Sequence, residues 1–340
     1  MSRQDRLRLI AELESKRNSK ILTYITGDRR GLETKIATDV FSIIYEHLKH
    51  IGRCNAIDLF LYSTGGMTMA GWGLVNLIRE FCDKFSVIIP FKAHSCATLI
   101  TLGANEIIMS ELGQLSPIDP SVTSPYNPPA PGTQPMGPPQ LLPVPVEDVI
   151  GYLDLAKKEM ELKKDSSKAT AFGYLSNNVH PLALGSVYRA REQIKMLAQK
   201  LLSFHISKHQ KNKINHIVSQ VTKELYSHDY IIGRREAKEI IKLNIIDVDS
   251  DTATAIWNLY KEYENLLDLN TPYSPDVWLG PDESKTATFH RAVIESTERA
   301  DTFITEKELR RAEVLQPGMP IPIKFVQERI LKEEWAKIEE

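Results

Sequence analysis

The strongest restriction on this chain is a hydrophobic period that switches repeatedly through its first 120 residues. Residues 20–27 (KILTYITG) form an apolar run of strand length, and residues 36–51 carry Ile36, Val40, Ile43, Ile44, His47 and Leu48 at helical spacing. Residues 56–63 (AIDLFLYS) predict a second strand, 67–81 a second helix and 86–92 (SVIIPFK) a third strand. A short apolar helix is expected at 95–102, then a strand at 106–110. Strands alternating with helices at this spacing predict a layered α/β domain with parallel pairing and right-handed crossovers.

The pattern then stops. Between Pro117 and Pro145 lie 11 of the 19 prolines, a density that removes backbone donors and forbids helix, so an extended loop or lid is expected. Helices are expected at 147–164, at 181–202 and at 233–246, the last ending in a strand-like IIDVD. From Pro272 the chain is polar, with a charged helix expected at 323–338. This divides the chain into an N-terminal helical arm (1–19), a catalytic domain (20–270, with an insertion at 121–179) and a C-terminal extension with a terminal helix (271–340).

Composition narrows the class. Forty-two basic against 44 acidic residues leave a net charge of −2, so no general attraction to nucleic acid or anionic membrane is expected. No stretch has the roughly 18 apolar residues of a membrane span, and the N-terminus lacks the apolar core of a secretory signal. Cys54, Cys82 and Cys96 are odd in number and form no CxxC pair, which argues against a disulfide framework and for a reducing compartment. A cytoplasmic globular protein is the expectation.

Two strand-to-helix junctions carry chemistry. In Tyr62-Ser63-Thr64-Gly65-Gly66 the glycines allow a tight turn that exposes backbone amides to an anion or oxyanion, or they merely serve the turn. In His94-Ser95-Cys96-Ala97-Thr98 the serine either caps the following helix or projects its hydroxyl as a nucleophile elbow does, although GxSxG is absent.

The order STGG, strand, small-residue serine helix, GANEIIM and GQLSPID resembles the Clp protease proteolytic subunit and the signal peptide peptidases, which share the crotonase-like fold. The downstream run from Ser227 through Asp229 to LNIID resembles the ending of those families. Taken whole, the chain most resembles the serine dehydrogenase proteinase family over about residues 20–249. The resemblance implies a Clp protease/crotonase-like ββα superhelix with a Pro-rich insertion and a C-terminal extension. It also implies a serine endopeptidase that needs no cofactor, acts on polypeptide and assembles as a homo-oligomer. Gly66 precedes Ser95 by 29 residues and His180 precedes Asp229 by 49, the intervals of the Clp pattern. Carried over, Ser95 is the nucleophile, His180 the base, Asp229 its orienting acid, and the amides of Gly66 and Cys96 the oxyanion hole. The Ser95–His180 interval is longer than in that pattern, and the surplus matches the insertion at 121–179. In the Clp subunit the histidine opens a His-Gln-Pro-Leu-Gly-Gly run; His180-Pro181-Leu182-Ala183 lacks the glutamine and the glycine pair.

Other assignments remain open at this level. The signal peptide peptidases use a Ser–Lys dyad, which would fall to Lys163, Lys164 or Lys168 in a stretch that reads as solvated. His94 and Lys92 lie near Ser95 in sequence, but adjacent strand side chains diverge. The fold also hosts acyl-CoA-acting enzymes that use oxyanion amides without a serine, and non-catalytic oligomeric scaffolds. His205 and His209 are four apart amid lysines without a nearby carboxylate, so no metal is assigned. No GxxxxGK[ST] occurs, so ATP-driven unfolding would need an ATPase partner.

Overall fold

The computed structural model describes residues 3–118, 121–122, 124–129, 141–162, 164–222, 229–314 and 322–338. Helix α1 (Arg3–Arg17) leads into strand β1 (Lys20–Thr26), followed by α2 (Val40–Ile51), β2 (Cys54–Tyr62), α3 (Thr68–Arg79), β3 (Cys82–Ile89), α4 (Cys96–Thr101) and β4 (Glu106–Met109). Strands β1 to β4 pair in parallel in chain order. The α/β expectation therefore holds.

Each strand is apolar on both sides because both faces of the sheet are covered. Leu22, Tyr24, Leu59, Leu61, Val87, Ile89, Ile107 and Met109 enter one core, which also takes residues of α2, α3 and α4. Their alternates Ile21, Ile25, Phe60, Tyr62, Ile88 and Ile108 enter a second core beneath α1 and a later helix, α10 (Ser250–Leu266). The period-2 alternation thus sorts side chains between two layers of helix rather than between core and water.

Between β4 and α10 run α5 (Val146–Asp154), α6 (Asp165–Asn178), α7 (Pro181–Leu202), α8 (Lys211–Thr222) and α9 (Arg234–Glu239). The helix expected over 147–164 ends at Asp154, where a π-turn at Leu155–Glu159 breaks the ladder before α6 starts. The helix expected over 233–246 closes at Glu239. Part of the Pro-rich segment is described, and there it is a closed ribbon rather than an extended loop. Ser121–Val122 pairs antiparallel with Val144–Pro145, and Asn127 donates through Nδ2 to the Leu142 carbonyl at 2.8 Å. The amino-terminal half of α7 packs on α5 through Leu184, Val187 and Val149, while Ile194, Leu197, Ala198 and Leu201 join the main core.

The terminal helix expected at 323–338 is a correction. Residues there form the last of three long strands, β5 (Ser284–Glu295), β6 (Ala300–Val314) and β7 (Ile323–Lys337). β5 pairs antiparallel with β1, and β6 and β7 follow antiparallel, giving one seven-stranded sheet in the order β7-β6-β5-β1-β2-β3-β4. The segment is rich in helix formers, yet its charges find partners on the two preceding strands: Lys307–Glu328 at 2.7 Å, Arg291–Glu333 at 2.7 Å and Lys324–Glu313 at 3.2 Å. Trp335 packs on Phe303 and donates through Nε1 to Asp39 at 2.7 Å, tying the strand to the start of α2. Tertiary pairing overrides the local propensity.

Buried polar contacts fasten the β5–β6 hairpin to the domain. Glu295 is fully buried and takes Arg6 Nε at 2.6 Å and the Tyr263 hydroxyl at 2.9 Å. His47 of α2 is 0% exposed, with Nε2 3.0 Å from Asp301 and Nδ1 2.8 Å from the Ser296 hydroxyl. Burial holds the imidazole pKa below its usual value despite Asp301. His47 is therefore neutral, and because a carboxylate only accepts, Nε2 carries the proton while Nδ1 accepts from Ser296.

The sign of the pH effect follows. A base whose folded pKa lies below its unfolded value of 6.5 gives full stability above 6.5 and loses it as pH falls through that value. Wild type should melt at progressively lower temperature from pH 7 to pH 5, and His47→Gln should show a shallower decline. His205 and His290 are also lowered by burial and remain in both proteins, so the difference in slope isolates His47. Equal slopes in thermal melts across that range would contradict this account.

Candidate active site

The site is built on the turn after β2. Ser63 exchanges backbone bonds with the segment beyond β3: its amide donates to Lys92 at 2.9 Å, and its carbonyl accepts from His94 at 2.9 Å. Gly65 and Gly66 have φ of +109° and +153°. Ile36 lies against them, its amide donating to the Gly65 carbonyl at 2.9 Å and its carbonyl accepting from Met67 at 2.8 Å. A Cβ on Gly66 would sit 2.1 Å from the Ile36 oxygen, and one on Gly65 would sit 2.8 Å from the Ser95 Cβ. Both positions need glycine for space as well as for conformation. This explains why α2 starts at Val40 rather than at the expected Ile36, whose backbone bridges to Gly66. The turn is braced from below by Ser63, whose hydroxyl accepts from the Gly65 amide at 3.0 Å and from Thr26 at 2.7 Å.

Ser95 takes φ +52° and ψ −111° just before α4. For a non-glycine residue such a backbone costs on the order of 1–3 kcal/mol and persists only where the surroundings impose it. A capping serine has extended dihedrals and bonds a helix amide. Ser95 has neither, so the cap reading fails. Its side chain instead faces Gly65, where an added Cβ would lie 3.3 Å from Oγ. The Cys96 amide follows at the helix start, and the Gly66 amide points away from Ile36. Neither has an acceptor among the described residues. Ser95, Gly66 and Cys96 are thus brought together in one turn-on-turn contact.

Cys96 is no competing nucleophile. Its buried thiol donates to the Met67 carbonyl at 3.1 Å, and burial pushes its pKa up to about 12. Gly71 makes room for that sulfur, since a Cβ there would be 2.6 Å from Sγ.

Within one chain no described bond joins the expected base, His180, to Ser95. His180 is exposed at the start of α7, where its Nδ1 accepts from the Leu182 amide at 3.2 Å and its ring stacks on Tyr126 with centroids 4.8 Å apart. Gln193, 13 residues further along α7, touches Met69 beside the glycine turn at 3.5 Å. That separation along a helix is about 20 Å. Asp229 is exposed, next to residues outside the described set. It does not cap the following helix, whose N-cap position is Gly233. Lys164 is exposed, Lys168 pairs at the surface with Asp165 at 3.1 Å, and Lys163 lies outside the described residues. Lys92 is paired with Asp28 at 2.6 Å, and Asp28 also accepts from the Tyr62 hydroxyl at 2.7 Å. His205 bonds the Leu102 carbonyl at 3.0 Å, while His209 is exposed in a separate short turn.

Among the described residues a Ser–His–Asp set does exist in bonded form, away from the expected positions: Ser296, His47 and Asp301. It is sealed, with Ser296 and His47 both 0% exposed, so no substrate reaches it. In the sequence His47 gives only an apolar-stripe signal, and nothing local announces its partners more than 240 residues away.

The glycine argument is testable. Gly66→Ala should cost about 2–4 kcal/mol, combining strain with displacement of the Ile36 backbone. Gly52→Ala, at φ +72° with nothing within 4 Å of the added methyl, should cost about 1 kcal/mol. Urea denaturation midpoints compare the two, and similar losses would refute the packing account.

Among the described residues no helix is long and apolar enough to cross a membrane. Two uncharacterized proteins of Methanocaldococcus jannaschii are similar to this chain. One is 24% identical over 266 residues, covering 76% of this chain and 78% of its own length. The other is 31% identical over 125 residues, 34% of this chain and 42% of its own length. Over residues 1–133, the part that holds Gly66, Ser95 and Cys96, the chain matches the ClpP-like SDH-type serine proteinase family, the family its motifs resemble.

Proposed function

We propose that this protein is a serine peptidase with Ser95 as nucleophile and the amides of Gly66 and Cys96 as oxyanion donors. The observation that carries the reading is the strained backbone of Ser95, held with its hydroxyl against the glycine turn, with the Gly66 and Cys96 amides nearby and without an acceptor among the described residues. An acyl-CoA enzyme relying on the amides alone would have no use for that strain, and neither would a scaffold.

In the reaction the Ser95 Oγ attacks the scissile carbonyl carbon and its proton passes to the base. The oxyanion forms facing the two amides, where one lost donor typically costs on the order of 10²–10³ in rate. The protonated base then gives its proton to the departing amine, and water resolves the acyl-enzyme by the same steps.

For the base the reading keeps His180, oriented by Asp229. In the single chain His180 accepts a helix amide at Nδ1, which leaves the proton on Nε2 in the neutral ring. To act on Ser95, the ring gives up that bond, donates from Nδ1 to Asp229 and offers Nε2 to the serine. An exposed cap contributes about 0.5–2 kcal/mol, little beside the 10²–10⁴-fold that a base supplies. Because His180 heads an exposed helix end, we place this engagement in a homo-oligomer acting on polypeptide in the cytoplasm, without a cofactor.

The test is intact mass after exposure to a fluorophosphonate. Wild type should gain one adduct, Ser95→Ala none, and His180→Ala should react at least about 100-fold more slowly. Unchanged labelling of His180→Ala would remove His180 as base. No adduct on wild type would remove the peptidase reading.

A further inference from the structure

Resting on the reading of Ser95 as nucleophile, we infer that Ser116 is the positioning residue that keeps Ser95 in its reactive backbone conformation. Ser116 lies beyond β4, 21 residues after Ser95, and is 4% exposed. Its hydroxyl accepts the Ser95 amide at 2.8 Å and donates to the Pro117 carbonyl at 3.0 Å. Its own amide donates to the Thr98 hydroxyl at 3.1 Å, and that hydroxyl donates to the Ala93 carbonyl at 2.8 Å. The chain of bonds therefore grips the entry to the elbow at two points, the carbonyl two residues before Ser95 and the amide of Ser95 itself.

The direction of each bond matters. Ser95 is half-buried, and its amide points to Ser116 in the segment after β4 rather than into a helix or strand ladder. A side-chain acceptor there is what makes this orientation satisfied, because a buried amide without a partner is costly. Ser116 can supply that acceptor because its hydroxyl proton is committed to Pro117. Thr98 plays the complementary part: fully buried in α4, it spends its proton on Ala93 and accepts from Ser116. If the Ser116 hydroxyl is removed, the Ser95 peptide is free to relax toward negative φ. That rotation carries Oγ away from Gly65 and turns the Cys96 amide with it. Ser116 touches no reacting atom in this account and acts only through Ser95.

The experiment measures fluorophosphonate inactivation of the full chain, separating the limiting rate from the half-saturating probe concentration, alongside a thermal melt. Ser116→Ala should lower the limiting rate about 10–100-fold with half-saturation changed less than threefold. Ser116→Thr, which keeps the acceptor, should label within about threefold of wild type. Thr98→Val, which keeps the shape but loses both bonds, should fall between them and decides the matter if Ser116→Ala does not fold. A limiting rate for Ser116→Ala equal to wild type, whatever its melting temperature, would overturn the inference. So would a Ser116→Thr protein as slow as Ser116→Ala. A wild type that takes no adduct would overturn the Ser95 reading itself, an outcome distinct from both.

Discussion

The approach of the Ile36 backbone to the Gly65–Gly66 turn is the contact on which the rest of the site depends. With the Ile36 oxygen only 2.1 Å from where a Cβ of Gly66 would lie, the turn has one way to pass. That passage fixes several things together. It removes Ile36 from the helix its spacing suggests, starts α3 at Thr68, and leaves the Gly66 amide facing away from the Ile36 backbone that pins it. Ser95 then rests on Gly65, so the shape of one strand end sets the geometry of the next. Two adjacent parallel strands with tight C-terminal turns place a hydroxyl and two amides together before any distant residue is involved.

Much of this was legible because the constraints are local. Strands buried on both faces must be apolar throughout, so residues 20–110 declare themselves by composition and length. Glycines at a forced turn and a serine at a strand–helix junction are chosen by sterics within a few residues. The C-terminal third obeys a different rule. Ile323–Lys337 contains Glu, Lys, Leu and Ala in helical proportions, and its strand state comes from a partner strand and from ion pairs reaching Lys307, Arg291 and Glu313. No window along the sequence contains those partners. The same holds for the break at Leu155, where a π-turn separates what reads as one helix.

The distant residues proposed for the site differ again. Spacing to His180 and Asp229 could be matched to a family pattern, but spacing gives neither ring orientation nor approach. In the chain alone His180 caps α7, a stable use for a histidine before a proline at the first helical position. Its Nδ1 contact selects the tautomer opposite to the one the proposed base would need, so the cap would have to be released for that role. A surface contact is easily exchanged, which is compatible with the role proposed for His180.

Ser95 and Ser296 make the final distinction clear. Ser296 has the complete set of bonds that a triad requires, with a neutral imidazole and an ionised aspartate whose pKa lies at about 2. Yet it is relaxed, sealed from water, and serves to lock a hairpin to a helix. Ser95 has no bonded base among the described residues but is strained and half-exposed, beside the Gly66 and Cys96 amides, which have no acceptor among the described residues. A hydrogen-bonded triad is therefore an ordinary way to satisfy three polar groups in a core. What favours Ser95 as the proposed nucleophile is the backbone strain that presents it, and of these two serines only Ser95 has a positive φ.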